Sequence, residues 1–389
     1  MNIPNVEIGK RLRVARENAS ITQMKAASLI GVARTTVVAI EKGDREIHID
    51  ELQILAKAYN VSSNEILRNE TISINILPSF RKSNDTKDND VYAAVNLLKT
   101  LFTSEIELEN TLGVKKPIAY LRPTSISYKT KDSIKESAYQ DVIKIRTKFG
   151  IKGTSFDILS LLDTQIGIRI YLRPLHGKIS GVYVYDQKLG ACILINSTHP
   201  ASRQRFTLAH EFGHFMVKRD TSNIFYDKKE KSISKEEFYA DTFAKEILMP
   251  RKELYLAFKD ITAGQSHLTR RHIIILSDMF KVSREAIVKR LEELSIAKKG
   301  TWDWFVENGG ITDVQFENVL GRKPERYLNE SDSIGILPIR LILLVCEAYK
   351  NDLYTEGQLS KMFNIDRLAM REILELAGVE EGSNELFRL

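Results

Sequence analysis

Residues 205–216, RFTLAHEFGHFM, place His210 and His214 four apart, with Glu211 directly after the first histidine. On a helix that spacing stacks two imidazoles one turn apart on the same face, where both can bind one Zn²⁺. Glu211 then stands beside them as a general base for a water to be activated. A tetrahedral catalytic site needs a third protein ligand and leaves its fourth position to solvent. The stretch SKEEFYADTFAKEILMP offers one, because Glu237 and Asp241 are again one helical turn apart. Glu237 is expected as the third ligand. Asp241 is expected to hydrogen-bond the far ring nitrogen of a ligating histidine, which fixes its tautomer and raises its basicity. Glu236 lies about 100° round the same helix and ranks below Glu237. The competing reading is an ordinary amphipathic helix with polar residues. Against it, Phe206, Leu208, Phe212, Phe215 and Met216 surround the histidines, and buried polar groups are costly unless paired or metal-bound.

The elements that must position these groups follow from the pattern. A helix is read through His210, and Ser234–Leu248 reads as a second. IRIYLRPL, SGVYVYD and ACILIN read as three strands, the last two joined by a turn at 187–190. An edge of SGVYVYD or ACILIN is expected to accept a substrate peptide as an added strand. His199 and Tyr226 flank the histidine helix and its following loop, and are the candidate oxyanion donors. KRDTSNIFYDKKEKSIS reads as a polar loop.

With 389 residues the chain is too long for one core. No apolar run is long and unbroken enough for a membrane span, and the N-terminus lacks a signal-peptide core, so a cytoplasmic protein without membrane contact is expected. Two cysteines exclude a disulfide framework or a cysteine-based zinc site, leaving histidine and carboxylate to hold any metal. Zinc is preferred on that donor set, with manganese(II) or iron(II) as alternatives. The net charge is +6. Within the first 34 residues Lys10, Arg11, Arg13, Arg16, Lys25 and Arg34 face only Glu7 and Glu17, an electrostatic footprint suited to nucleic acid. Five short helices fit into the first 70 residues, with Ser20 or Thr22, Asp50, and Ser62 or Ser63 as N-caps and Gly31 and Gly43 as stops.

Two resemblances follow from these residues. RQRFTLAHEFGHFM, the preceding CILIN, EEFYADTFAKEILMP and MFKVSREAIVKRLEEL together resemble the ImmA/IrrE family of metallopeptidases over about residues 135–297. That resemblance implies a zincin-like fold with His210, His214 and Glu237 as ligands, Glu211 as base and Asp241 behind a histidine. One departure is Tyr239, where many members carry an acidic residue; that position is expected to face away from the metal. TQMKAASLIGVARTTVVAIEKGD resembles an Xre or Cro-type helix-turn-helix. It implies base contacts from Arg34, Thr35 and Val38 in the second helix, and phosphate contacts from Gln23, Lys42 and Arg45.

The expected architecture is multidomain, α and α+β. Residues 1–70 form an all-α helix-turn-helix bundle, 71–132 a linker and helical insert, 133–297 the α+β metallopeptidase domain, and 298–389 a helical domain. The expected function is a regulator that binds an operator in double-stranded DNA and hydrolyses a repressor-like protein, or its own linker at 77–90, in a stress or phage-related response. Half-site symmetry implies a homodimer. Two other functions compete: a transcription factor whose peptidase-like domain only senses or scaffolds, and an antitoxin-like partner-binding protein. The C-terminal TEGQLSKMFNIDRLAMREIL has a helix, turn, helix rhythm, but Asp366, Glu372 and Glu375 offset its basic residues, so packing or dimerisation is expected of it.

Overall fold

A computed structural model describes residues 4–67 except 20, 60 and 62; 89–126; 130–325 except 188, 218, 220–222, 227–233 and 264–266; and 337–376. The chain divides into two compact units, 1–73 and 74–389.

The first unit is all helical: α1 (Asn5–Asn18), α2 (Gln23–Leu29), α3 (Arg34–Lys42), α4 (Ile49–Ala58) and α5 (Ser63–Leu67). Thr22 caps α2 by accepting from the Lys25 amide at 3.2 Å. Gly43 ends α3 with φ +83°, and its Cβ position would meet the Val6 backbone, so only glycine fits between α3 and α1. The cap of α4 is His48 and not Asp50. Glu51 reaches back to the His48 amide at 3.0 Å, which moves the helix start two residues earlier. Leu12, Ala27, Val37, Ile40, Leu52 and Leu55 build the core. At its side, Arg16 and Glu41 form a buried pair at 2.5 Å.

The second unit is built on a four-stranded sheet of β1 (Arg169–Arg173), β2 (Ile179–Asp186), β3 (Gly190–Asn196) and β4 (Asn223–Tyr226), in the order β1-β3-β2-β4. β1 and β3 are parallel and the other pairs antiparallel. Strand β4 falls inside the stretch read from sequence as a polar loop. Its four residues are too few and too hemmed by charge to show a period of two. Its presence corrects a second expectation. β2 lies between β3 and β4, and β3 between β1 and β2, so the outer strands are β1 and β4 and neither SGVYVYD nor ACILIN is one.

Successive side chains along the strands point to opposite faces of the sheet, and both faces are buried. Ile170, Leu172, Tyr183, Ala191, Ile193 and Ile195 join one core with the helices that carry the site: α7 (Lys131–Lys148), α9 (Ala201–Val217) and α10 (Lys235–Leu248). A short helical turn, α8 (Ile158–Ser160), runs into a π-helical turn ending at Gly167, before β1. On the opposite face Arg169 pairs with Glu105 and Glu109, and the Tyr171 hydroxyl donates to Glu105 at 2.8 Å. Both glutamates belong to α6 (Asn89–Leu112). α11 (Arg251–Ile261), α12 (Arg270–Phe280), α13 (Arg284–Glu293), α14 (Thr301–Glu307) and α15 (Asp313–Leu320) follow. Then α16 (Ile339–Lys350), α17 (Glu356–Met362) and α18 (Arg367–Leu376) return to α6, where Arg340 binds Glu105 and Glu109. The insert helix and the last three helices therefore pack with the sheet as part of the same unit. Among the described residues no helix is long and apolar enough to cross a membrane.

Candidate metal centre

Helix α9 is apolar or buried all round from Thr207 to Met216, so its polar side chains have no route to bulk water except at one end of the cluster. It lies on β2 at Gly181, where a Cβ would stand 2.9 Å from Thr207. It meets α10 at Gly213, where a Cβ would stand 2.7 Å from the Ala240 Cα. That close crossing is what brings the first turn of α10 over the histidines. Ser234 caps α10 by accepting from the Glu237 amide at 3.1 Å, which fixes where that turn begins.

The result is a triangle of donor atoms. The Nε2 atoms of His210 and His214 are 3.1 Å apart. Each lies 3.2 Å from a different oxygen of Glu237. Donors held about 2.0–2.1 Å from one tetrahedral Zn²⁺ stand roughly 3.3 Å apart, close to each of these contacts, and one ligand atom from each of the three residues lies within 4.8 Å of the others. They are the cluster of potential ligands found among the described residues. Both histidines are buried, whereas the Glu237 side chain is 39% exposed, so the triangle opens to solvent on the carboxylate side. Burial lowers the His210 pKa against the pull of Glu237. For His214 burial acts the same way, but Glu237 and Glu211 outweigh it and the net shift is upward. Glu237 is itself held well below the usual carboxylate range: burial would raise it, and the two imidazoles prevail.

Glu211 is fully buried, and neither carboxylate oxygen has a hydrogen-bond partner. Burial pushes its pKa up to about 7. An orphaned carboxylate one residue from the triangle is a group awaiting a proton, a water or a cation.

Asp241 does not take the place expected of it. It forms an ion pair with Lys245 at 2.7 Å, one turn along α10, and bears on His210 only as a nearby negative charge. The i,i+4 lysine competes for the carboxylate that would otherwise turn inward. Tyr239 points away from the triangle, its buried hydroxyl donating to Asp141 at 2.8 Å on α7. Thr124 donates to the same oxygen at 2.6 Å, so this network anchors α10 from behind. His199 precedes α9, about 13 Å of helix from the triangle. Its Nε2 lies 3.3 Å from the Gly177 carbonyl, which makes it part of the loop packing and not an oxyanion donor. Tyr226 ends β4, and its side chain lies outside the described residues. Sequence reasoning missed Gly213, whose signal was a glycine between two histidines on an otherwise bulky helix.

In the first unit Arg34 and Thr35 are exposed at the start of α3, Lys42 is exposed at its end, and Val38 is half-buried. Gln23 joins two of these elements: its amide donates to Glu41 at 2.9 Å and its oxygen accepts from Arg34 at 3.4 Å. Arg45 differs from expectation, since both of its terminal nitrogens hold Glu51, at 3.1 and 3.0 Å.

Two family models match the chain: a helix-turn-helix over residues 12–66, and the M78 peptidase model, described as an IrrE N-terminal-like domain, over residues 163–292. The chain joins an Xre-type helix-turn-helix to an ImmA/IrrE-type metallopeptidase-family domain. The HTH-type transcriptional regulator ImmR of Bacillus subtilis (strain 168) is 32% identical over 68 residues, which cover 18% of this chain and 54% of that relative. The chain thus matches about half the length of that curated relative. Among solved structures, PlcR of Bacillus thuringiensis in complex with the peptide PapR7 and DNA aligns at 13% identity, with a TM-score of 0.17, over 97% of this chain and 98% of that one. ComR from Streptococcus suis aligns at 10% identity and TM-score 0.17, over 97% and 96%. The ImmA/IrrE-type match contains His210, His214 and Glu237, and the helix-turn-helix match contains Gln23, Arg34, Thr35, Val38, Lys42 and Arg45.

Proposed function

We propose that this protein is a DNA-binding transcriptional regulator whose ImmA/IrrE-type domain is a zinc-dependent endopeptidase acting on a repressor-like protein. The observation that carries the reading is the three-donor triangle with Glu211 beside it. His210, His214 and Glu237 would hold the ion. Zinc in such a site polarises a carbonyl and acidifies water. Glu211, when ionised, takes a proton from the attacking water and hands it to the leaving amine, breaking the C–N bond. Its surroundings, buried and free of competing donors, keep that proton exchange near neutrality. Manganese(II) or iron(II) would fit the same donors less well. Residues 77–88 of the candidate self-cleavage site lie outside the described residues.

In the DNA-binding half, Arg34 and Thr35 read base edges from the start of α3. Gln23, Lys42 and Arg45 approach phosphates, Arg45 after release from Glu51. Val38 contributes an apolar contact. A second reading has support in one observation. Glu211 has no solvent-accessible oxygen, so the base is closed off, and a regulator that uses the domain as a latent or sensing module would look the same.

Metal analysis and proteolysis together decide between them. Wild type is expected to bind one equivalent of zinc and cleave a repressor encoded beside it, and Glu211→Gln to keep the zinc and lose cleavage. Stoichiometric zinc with no cleavage of any candidate, with or without operator DNA, would favour the sensing module.

A further inference from the structure

The last three described helices repeat the geometry of the helix-turn-helix at the opposite end of the chain. Residues 355–375 align with 22–42 position by position. Thr22 and Thr355 each cap a seven-residue helix by accepting an amide at the third helical position, at 3.2 and 3.3 Å. The turn follows with a left-handed residue, Gly31 at φ +68° and Asn364 at φ +49°. The next amide bonds back identically, Val32 to Ala27 and Ile365 to Ser360, both at 3.0 Å. Arg34 and Arg367 open the second helix, and each reaches the residue after the threonine, Gln23 at 3.4 Å and Glu356 at 3.2 Å. Every residue buried in the first segment has a buried counterpart, Ala26, Ala27, Val37, Ile40 and Glu41 against Leu359, Ser360, Met370, Ile373 and Leu374, while Phe363 and Ile365 are buried where Ile30 and Val32 are partly so. A preceding helix begins after a proline in both, Pro4 and Pro338. The corner by itself is common, since Lys281 and Val282 make it between α12 and α13. There, however, the first helix has eleven residues, so the short capped helix and the arginine bond set the 355–375 segment apart.

The chemistry of the copy is inverted. Glu356 replaces Gln23 where a phosphate would approach, and it already holds Arg367 and Arg371, at 3.2 and 3.0 Å. Asp366, Glu372 and Glu375 stand where Ala33, Ala39 and Lys42 do. Such a face repels a polyanion. Leu368, 66% exposed, takes the place of Thr35. Along α18 the first half carries Arg367 and Arg371 and the second half Glu372 and Glu375, beside an exposed leucine. A two-fold axis across this helix sets each basic half against the other copy's acidic half, the self-complementarity that an isologous interface requires.

We propose that residues 339–376 are a second helix-turn-helix unit whose reading face has turned from nucleic acid to protein, and that its occupant is α18 of a second copy of this chain. The inference does not depend on the metal centre. Sedimentation of the full chain tests it. Wild type is expected to dimerise, Leu368→Glu to weaken the dimer about 100-fold, and Arg367→Glu with Arg371→Glu to do the same. Adding Glu372→Arg and Glu375→Arg to the latter exchanges the halves and is expected to restore the dimer. An unchanged unfolding midpoint of the 74–389 unit shows that it remains folded, and Leu368→Glu breaks no internal ion pair. A wild type that stays monomeric, or a dimer indifferent to Leu368→Glu and to the charge exchange, would overturn the proposal. So would DNA binding that survives Arg34→Ala and is lost with Arg371→Ala.

Discussion

At the residue scale the metal centre is a problem of unpaired charge solved by convergence. Two buried imidazoles and a buried glutamate are expensive apart, and the triangle of 3.1–3.2 Å contacts shows how three of the four polar groups compensate one another. Removing Glu237 as Glu237→Ala should lower zinc affinity at least ~100-fold by equilibrium dialysis, since losing even an outer partner costs 10–100-fold. An affinity within a few-fold of wild type would mean that Glu237 is not a ligand. Glu211→Gln behaves differently, because a neutral amide of the same shape relieves an orphaned buried carboxylate. It should retain zinc and leave stability equal or higher, by up to about 2 kcal/mol in denaturant unfolding of the second unit. In the first unit the Arg16–Glu41 pair is buried and shared with Gln23. Glu41→Ala leaves the buried guanidinium with only the Ile21 carbonyl at 2.9 Å and a Glu17 contact at 3.5 Å, and should destabilise that unit by about 3 kcal/mol, read from its unfolding midpoint. A loss below about 0.5 kcal/mol would show the pair to be a surface contact in effect.

At the element scale the centre depends on how closely two helices cross. Gly213 allows α9 and α10 to approach at Ala240, and a methyl group there meets backbone that cannot fold away. Gly213→Ala is therefore expected to cost about 1–3 kcal/mol and to weaken zinc binding, although the residue touches no ligand atom. Full zinc affinity in this variant would refute the crossing as the positioning device. The histidine and glutamate helices were legible in sequence because their ligands recur at i and i+4 among apolar residues. Strand β4 was not legible, since four residues between charged segments carry no readable period. The edge assignment failed with it. The Asp241 expectation failed because helical spacing says which face a residue shares but not which neighbour it prefers, and Lys245 lies nearer than an imidazole. The C-terminal repeat was visible only as a rhythm. Its reading positions emerged when caps, left-handed turn and burial could be aligned, since few residue identities are shared.

At the scale of the whole molecule, the two compact units should respond separately to metal. Ligand binding to the native state stabilises only the unit that binds, by about 4 kcal/mol at a thousandfold excess over Kd. Chelation is thus expected to lower the unfolding temperature of the 74–389 unit and leave that of the first unit unchanged in calorimetry. A joint shift of both transitions would show coupling between them. The insert and C-terminal helices escaped a boundary-by-boundary reading because their partners are distant in sequence: Arg340 meets Glu105 and Glu109, and Arg169 meets both from the sheet. The proposed hydrolytic activity depends on one cation that His210, His214 and Glu237 would hold. X-ray absorption at the zinc edge of the loaded full chain measures this most directly. One equivalent of zinc is expected in a four-coordinate shell of nitrogen and oxygen at about 2.0–2.1 Å, with two imidazole signatures and one fewer in His214→Ala. Zinc far below one equivalent, or a shell unchanged by His214→Ala, would contradict it.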